Sequence, residues 1–310
     1  MKKIGILFTG RNNYEMLDNW MNKNNTDGFI VLNIDEDSTE ENKSAGRDIC
    51  KKHDIFYMDR EERGMQLNVT TACNYFKEKG VEWIMWFQHD CYPKTEDFFN
   101  KVNTYVDTHD ISDYGVVGFN ILHDWHDIKD WNGENTPLRT TARTPLEIGD
   151  GYYRHYEYWP NTRVRYDEKF NKPFAVESVM WVVAMVNINQ YEKYIKPTSD
   201  YHFFHAWDDI AFQFLYNNIY NIVLPQFCLA HEQELKVKFG LPKSSPNGDE
   251  KTRDHFFSKW GHHDVWNNRW GFDYGDRQTF ELVKDQYKDT LLWDFYNHDP
   301  VNGPLKSFNI

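Results

Sequence analysis

Paired cysteine is the first thing this chain lacks. Cys50, Cys73, Cys91 and Cys228 are widely spaced and form no CxxC pair, which excludes a zinc ribbon and a disulfide framework and fits a reducing compartment. Basic charge is also scarce: 35 Lys and Arg against 48 Asp and Glu leave a net charge of −13. That argues against a broad grip on duplex nucleic acid, because neutralising phosphates needs clustered Lys and Arg. No stretch approaches the roughly 20 apolar residues of a membrane helix. The apolar run after Lys2 and Lys3 is too short for a signal peptide and lacks its small-residue cleavage site. These absences predict a soluble, cytoplasmic protein with no membrane span. Gly5 and Gly10 do not form GxGxxG, which removes a dinucleotide oxidoreductase, and there is no internal repeat or low-complexity tract.

What the chain does have is aromatic residues, 17% of 310 positions with 12 Trp. Aromatics fill cores first, and only a cluster beside polar groups points to a ligand. The most informative stretch runs from Glu82 to Pro93, EWIMWFQHDCYP, an apolar run that stops at Gln88, His89 and Asp90. It reads as a buried strand with polar chemistry at its C-terminal end, where open α/β sheets bind ligands.

Upstream of it, strands and helices alternate. Strands are predicted at Lys3–Gly10, Phe29–Asp35 and Ile55–Met58, with helices around Tyr14–Met21 and Met65–Lys79, where Val69, Cys73 and Phe76 repeat at helical spacing. This pattern predicts an α/β fold with a mostly parallel sheet and helices on its faces. Downstream, a helix over Glu96–Val106 and a strand over Tyr114–Phe119 precede an irregular excursion, His123–Asn171, of the kind that forms binding loops. One strand or two follow over Phe174–Val186, then helices at Asn189–Ile195 and from about Asp209, and strands over Asn221–Leu224 and Phe227–Glu232. Gly240–Thr252 reads as a flexible lid or linker, and Gln278–Phe295 as one helix of a C-terminal appendage.

Taken singly, the polar residues at these ends have ordinary explanations. Asp35 and Asp90 could be turn or cap residues; Asp208 and Asp209 suit a helix N-terminus, whose exposed N–H groups favour acids; His231 could be a hydrogen-bonded core histidine. Their order along the chain is more specific. βαβ units, an acid after the second strand, Asp90 after a central strand, an acid pair at a helix start and a histidine after the next strand together resemble GT-A nucleotide-sugar glycosyltransferases of the inverting family-two type. The resemblance covers residues 1–240, with Asn68 and Ala72 in the helix before the metal strand and Gln88-His89-Asp90 in place of DxD. Ala206-Trp207-Asp208-Asp209 stands where the acid pair is expected, and Lys259-Trp260-Gly261 is similar to a short downstream motif.

The resemblance implies a Rossmann-like GT-A domain over 1–240, with a donor half to about 120 and an acceptor and catalytic half beyond it, and an extension over 241–310. It implies a nucleotide-sugar donor, most simply a UDP-sugar, bound by Thr9, Arg11, Asp35, Gln88, His89 and Asp90. Mn²⁺ or Mg²⁺ would be held by Asp90 and His231, although Gln88 replaces the first acid of DxD. Asp209 is the first choice as general base and Asp208 the second. Trp207, Trp181 and Arg163 are acceptor candidates; the acceptor is a glycan, a lipid-linked sugar, a protein or a hydroxylated DNA base. The rivals are a nucleotidyltransferase, which should carry a Gly-rich, Lys-bearing loop after strand one, and a sugar-binding protein that has lost catalysis.

Overall fold

The apolar N-terminal run forms β1, Ile4–Gly10, and is followed by α1 (Tyr14–Lys23), β2 (Ile30–Glu36), α2 (Glu40–Lys52), β3 (Phe56–Arg60), α3 (Met65–Glu78) and β4 (Trp83–Phe87). This computed structural model describes residues 2–129, 135–140, 173–176, 178–179, 182–202, 205–232, 235, 238–239, 250–261 and 280–296. The remaining described strands are β5 (Cys91–Pro93), β6 (Val116–Lys129), β7 (Asn135–Thr140), β8 (Phe174–Val176), β9 (Val183–Asn187) and β10 (Asn221–His231). The helices are α4 (Phe98–Thr108), α5 (Ile188–Tyr194), α6 (Ala206–Tyr216), α7 (Glu250–Trp260), α8 (Phe280–Val283) and α9 (Leu291–Tyr296).

All ten described strands belong to one sheet, whose main path runs β3-β2-β1-β4-β9-β6-β10-β5. β1 pairs in parallel with β2 and β4, β2 with β3, and β6 with β10, while β9 and β5 run antiparallel. The α/β expectation therefore holds, and the C-terminal ends of β1, β2, β3 and β4 share one edge.

Strand alternation divides the core into two layers. From β4, Trp83, Met85 and Phe87 pack with α1 and α4 residues such as Trp20 and Phe98, whereas Ile84 and Trp86 pack with α3, α5 and α6. α3 lies so close to β1 that a Cβ at Gly5 would sit 2.4 Å from Phe76. The second layer also takes in Phe256, Phe257 and Trp260 of α7 and Leu292 of α9, so the described C-terminal helices share the core of the sheet.

Several expected boundaries shift for local reasons. α6 starts at Ala206, three residues before Asp209, because His205 takes a left-handed turn (φ 59°) that lets the helix begin there. The helix expected over Gln278–Phe295 is broken into α8, a 3₁₀ turn at Lys284–Tyr287 and α9; Asp289 adopts φ 66°, and Thr290 Oγ1 accepts the Trp293 N–H at 3.3 Å as a new cap. β10 is continuous where two pieces were expected, crossing Pro225 with a shift of register against β6 between Leu224 and Cys228. The start of the excursion is regular: β6 runs on to Lys129 and pairs with β7. The expected lid falls on residues 240–249, outside the described residues, and on the first turn of α7.

Candidate active site

β4 ends at Phe87, and the chain turns through Gln88, His89 and Asp90 into β5. The turn is fixed by the Gln88 N–H donating to the Val182 carbonyl at 2.9 Å and the Cys91 N–H donating to the Gln88 carbonyl at 3.1 Å. β5 pairs with the end of β10, matching Cys91 to His231, and the Glu232 N–H donates to the Asp90 carbonyl at 2.7 Å. Backbone pairing thus carries His231 to Asp90 across 141 residues of sequence, with Nε2 3.2 Å from Asp90 Oδ2. Both side chains are buried, at 4% and 1% exposure.

The donor chemistry of this pair fits a small divalent cation. Adjacent ligands of an octahedral Mg²⁺-sized ion at about 2.1 Å lie roughly 3 Å apart, the separation seen here, and one carboxylate oxygen with one imidazole nitrogen is a donor set suited to Mn²⁺ as well. Among the described residues no third His, Cys, Asp or Glu joins them. His89 faces elsewhere: its Nδ1 accepts from Asn13 Nδ2 at 2.8 Å and its ring stacks on Phe8. It fastens the turn to β1.

At the neighbouring strand ends, Thr9 Oγ1 accepts from Trp86 Nε1 at 3.0 Å. Arg11 bridges to the next loop through its Nε, 3.2 Å from the Asp37 carbonyl, and the Asn12 N–H donates to Ser38 Oγ at 2.9 Å. Asp35 is fully buried. Its Oδ1 accepts the Ser38 N–H at 3.0 Å and its Oδ2 accepts the Tyr14 hydroxyl. Burial, with the Asp35 charge in support, pushes the Tyr14 phenol far up, so it stays a donor. Asp35 thereby shapes the loop after β2, and Glu36 is the adjacent carboxylate on the other face of the strand. Glu36 Oε1 accepts the Gly64 N–H at 3.0 Å. Burial raises its carboxyl above the usual range against the opposing pull of Gly64, Asn68, Arg63 and Arg60. Sequence reasoning passed over Glu36; strand alternation, which turns Asp35 and Glu36 to opposite faces, was the available signal.

The acid pair at the start of α6 divides into two unlike sites. Asp209 is fully buried and accepts five donors: Gln66 Nε2 at 2.8 Å and Gln213 Nε2 at 2.7 Å on Oδ2, and Tyr201 Oη at 3.0 Å, Lys259 Nζ at 2.8 Å and Trp260 Nε1 at 2.6 Å on Oδ1. Asp208, equally buried, takes the Ser178 hydroxyl at 2.6 Å on Oδ1 and meets His205 Nδ1 at 3.0 Å through Oδ2. Ser178 lies in the segment leading to β9, whose first residue pairs with Phe87 at the end of β4. Trp207 packs against Trp86 at 5.7 Å between ring centres and is 1% exposed, a wall of the site with no face open for stacking. Trp181 and Arg163 lie outside the described residues. No sequence signal singled out Gln66 or Gln213; Lys259 and Trp260 were marked only by the short motif.

No family model matches the sequence, and no curated protein is significantly similar to it. Among solved structures, GalNAc-T7, determined with UDP, GalNAc and Mn²⁺, superposes on 92% of this chain with a TM-score of 0.52 at 10% identity. This chain corresponds to 56% of that one, a little over half its length. S. aureus TarS (TM-score 0.43, 11% identity, 83% of this chain and 43% of that one) and A197 from STIV (0.34, 14%, 74% and 85%) are more remote. Together with the mostly parallel sheet, the likeness to GalNAc-T7 shows the fold: this chain has a GT-A-type α/β architecture.

Proposed function

We propose that the protein is a metal-dependent, inverting glycosyltransferase that uses a nucleotide-diphosphate sugar, with UDP-sugars the first donors to test. The observation that carries this reading is the meeting of Asp90 and His231 at the sheet edge where the donor strands end. A divalent ion bound there would supply positive charge to the diphosphate leaving group. Thr9 and the Arg11–Asp37 bridge border the nucleoside end, and Asp35 holds the loop that follows Glu36.

The base in this reading is Asp208, a reversal of the order of choice made from sequence. A general base needs a lone pair directed at the acceptor hydroxyl. Asp209 spends both oxygens on five donors, whereas Asp208 stands against Ser178, in the segment that leads into β9 beside the end of β4. Asp209 is then a positioning residue that fixes the helix start. The acceptor in this reading is a saccharide hydroxyl; a hydroxylated DNA base is the less favoured partner for a chain of net charge −13.

A thermal-shift panel of UDP-, GDP-, CMP- and dTDP-sugars, each with and without Mn²⁺, tests the donor half. A donor that binds only the folded state raises the midpoint. The expected result is stabilisation by one nucleotide class, larger with Mn²⁺; no shift with any of them removes the reading. Gln88 in place of the first acid keeps a second reading in view, a nucleotide-sugar-binding protein without turnover, which predicts the same shift and no sugar release.

A further inference from the structure

A second concave site lies at the other end of α6, between α5, α7 and the segment from α8 to the 3₁₀ turn. Its volume is about 760 Å³, within the range of small-molecule sites. Tyr216 and Asn217 line it at the C-terminal end of α6, roughly 12 Å along the helix from Asp208 at 1.5 Å per residue.

Three observations point to a ligand. First, among the described residues only three large hydrophobic side chains are exposed, Phe56, Tyr216 (45%) and Leu282 (76%), and two of these three line this one cavity. An exposed aromatic and an exposed aliphatic side chain at the mouth of a concavity mark a contact surface. Second, the rim carries Lys193 and Lys196, neither of which forms an ion pair with a described residue, and both protrude from a chain of net charge −13. The third lining lysine, Lys259, is committed to Asp209, and Asp285 is the single lining acid. Third, the wall between them offers amides: Asn217 and Gln286 each use the Nδ2 or Nε2 group internally, on the Gln213 carbonyl and the Tyr287 hydroxyl. Their carbonyl oxygens are the natural acceptors for ligand hydroxyls.

An aromatic face, amide acceptors and two cations within one cavity match a sugar ring bearing a negative group. The ring's C–H face packs on Tyr216, its hydroxyls donate to the amides, and its phosphate or carboxylate meets the lysines. We propose that this cavity binds an anionic saccharide, a phosphorylated or carboxylated sugar, at a site separate from the Asp90–His231 edge. The proposal stands whether or not the protein is a transferase, because it concerns binding alone.

Saturation-transfer NMR and calorimetry on the full chain would use glucose 6-phosphate, glucuronate, glucose and inorganic phosphate as probes. The expected result is saturable binding of glucose 6-phosphate, glucuronate or both, which identifies the charged group, with glucose and inorganic phosphate each weaker. Lys193→Ala/Lys196→Ala should weaken that binding roughly tenfold, about 1.4 kcal/mol, and Tyr216→Ala should weaken glucose as well. Asp90→Ala should leave it unchanged. The proposal is overturned if neither anionic sugar binds, if inorganic phosphate binds as tightly as glucose 6-phosphate, if folded lysine and tyrosine variants bind as the wild type does, or if UDP with Mn²⁺ competes for the site.

Discussion

Asp90 and Asp209 are both buried carboxylates, yet their surroundings are opposite in kind. Asp209 sits at the centre of five donors from α3, α6, α7 and the loop before α6, all within 3.0 Å. Asp90 instead shares its position with an imidazole, at the separation of two ligands on one ion. A buried charge ringed by donors is stabilised where it stands and has little left to give a substrate. A buried carboxylate and imidazole at a strand end combine one oxygen and one nitrogen donor, the pairing a divalent cation takes.

The comparison breaks most visibly at the acid pair. Asp208→Asn should lower the turnover of sugar transfer by roughly 10²–10⁴-fold, the usual contribution of a general base, with little change in urea unfolding. If Asp209→Asn shows that loss and Asp208→Asn does not, the roles revert. Next in size is the metal pair. Asp90→Asn or His231→Ala should raise the Mn²⁺ concentration needed for half-maximal activity by more than the roughly 10–100-fold that loss of an outer-shell partner costs; an unchanged metal titration would remove both residues from the ion.

Asp209→Asn should act on stability. Its amide N–H₂ must face donors on one side or the other, and each buried donor left unsatisfied costs about 1–3 kcal/mol, while Lys259, whose side chain is a third exposed, loses its counter-charge; urea unfolding measures the loss. The smallest effect belongs to Glu36. Its carboxyl is raised in the folded state, so the folded chain holds that proton more tightly than the unfolded one. The associated stability is present below the ordinary glutamate range and is lost as pH rises through the raised value. Glu36→Gln should flatten that part of the stability–pH curve, and superimposable curves would contradict it.

Much of this was readable in the residues. The run WIMWF and the alternation upstream specify β4 and the parallel sheet because strand and helix periods are local properties of the chain. Asp90 stood out because polarity begins abruptly at the strand end. The Asp90–His231 contact rested on resemblance alone, since backbone pairing between β5 and β10 creates it across 141 residues. The standing of Asp209 was not legible: its donors arrive from Gln66, 143 positions before it, and from Lys259 and Trp260, 50 and 51 positions after it. From local pattern alone Asp208 and Asp209 look like interchangeable first-turn acids.

The irregularity in β10 sets a counting rule for the chain. Residues on a strand alternate between faces, and three of them, Pro225 to Phe227, stand against no partner on β6 before pairing resumes at Cys228. The number of residues in that interval decides whether His231, or instead Ala230 or Glu232, arrives opposite Cys91 with its side chain on the face of Asp90. Substitutions within the interval leave that phase intact, while deleting or inserting a single residue inverts it. The length of this interval is therefore constrained by parity more strictly than its composition is by chemistry.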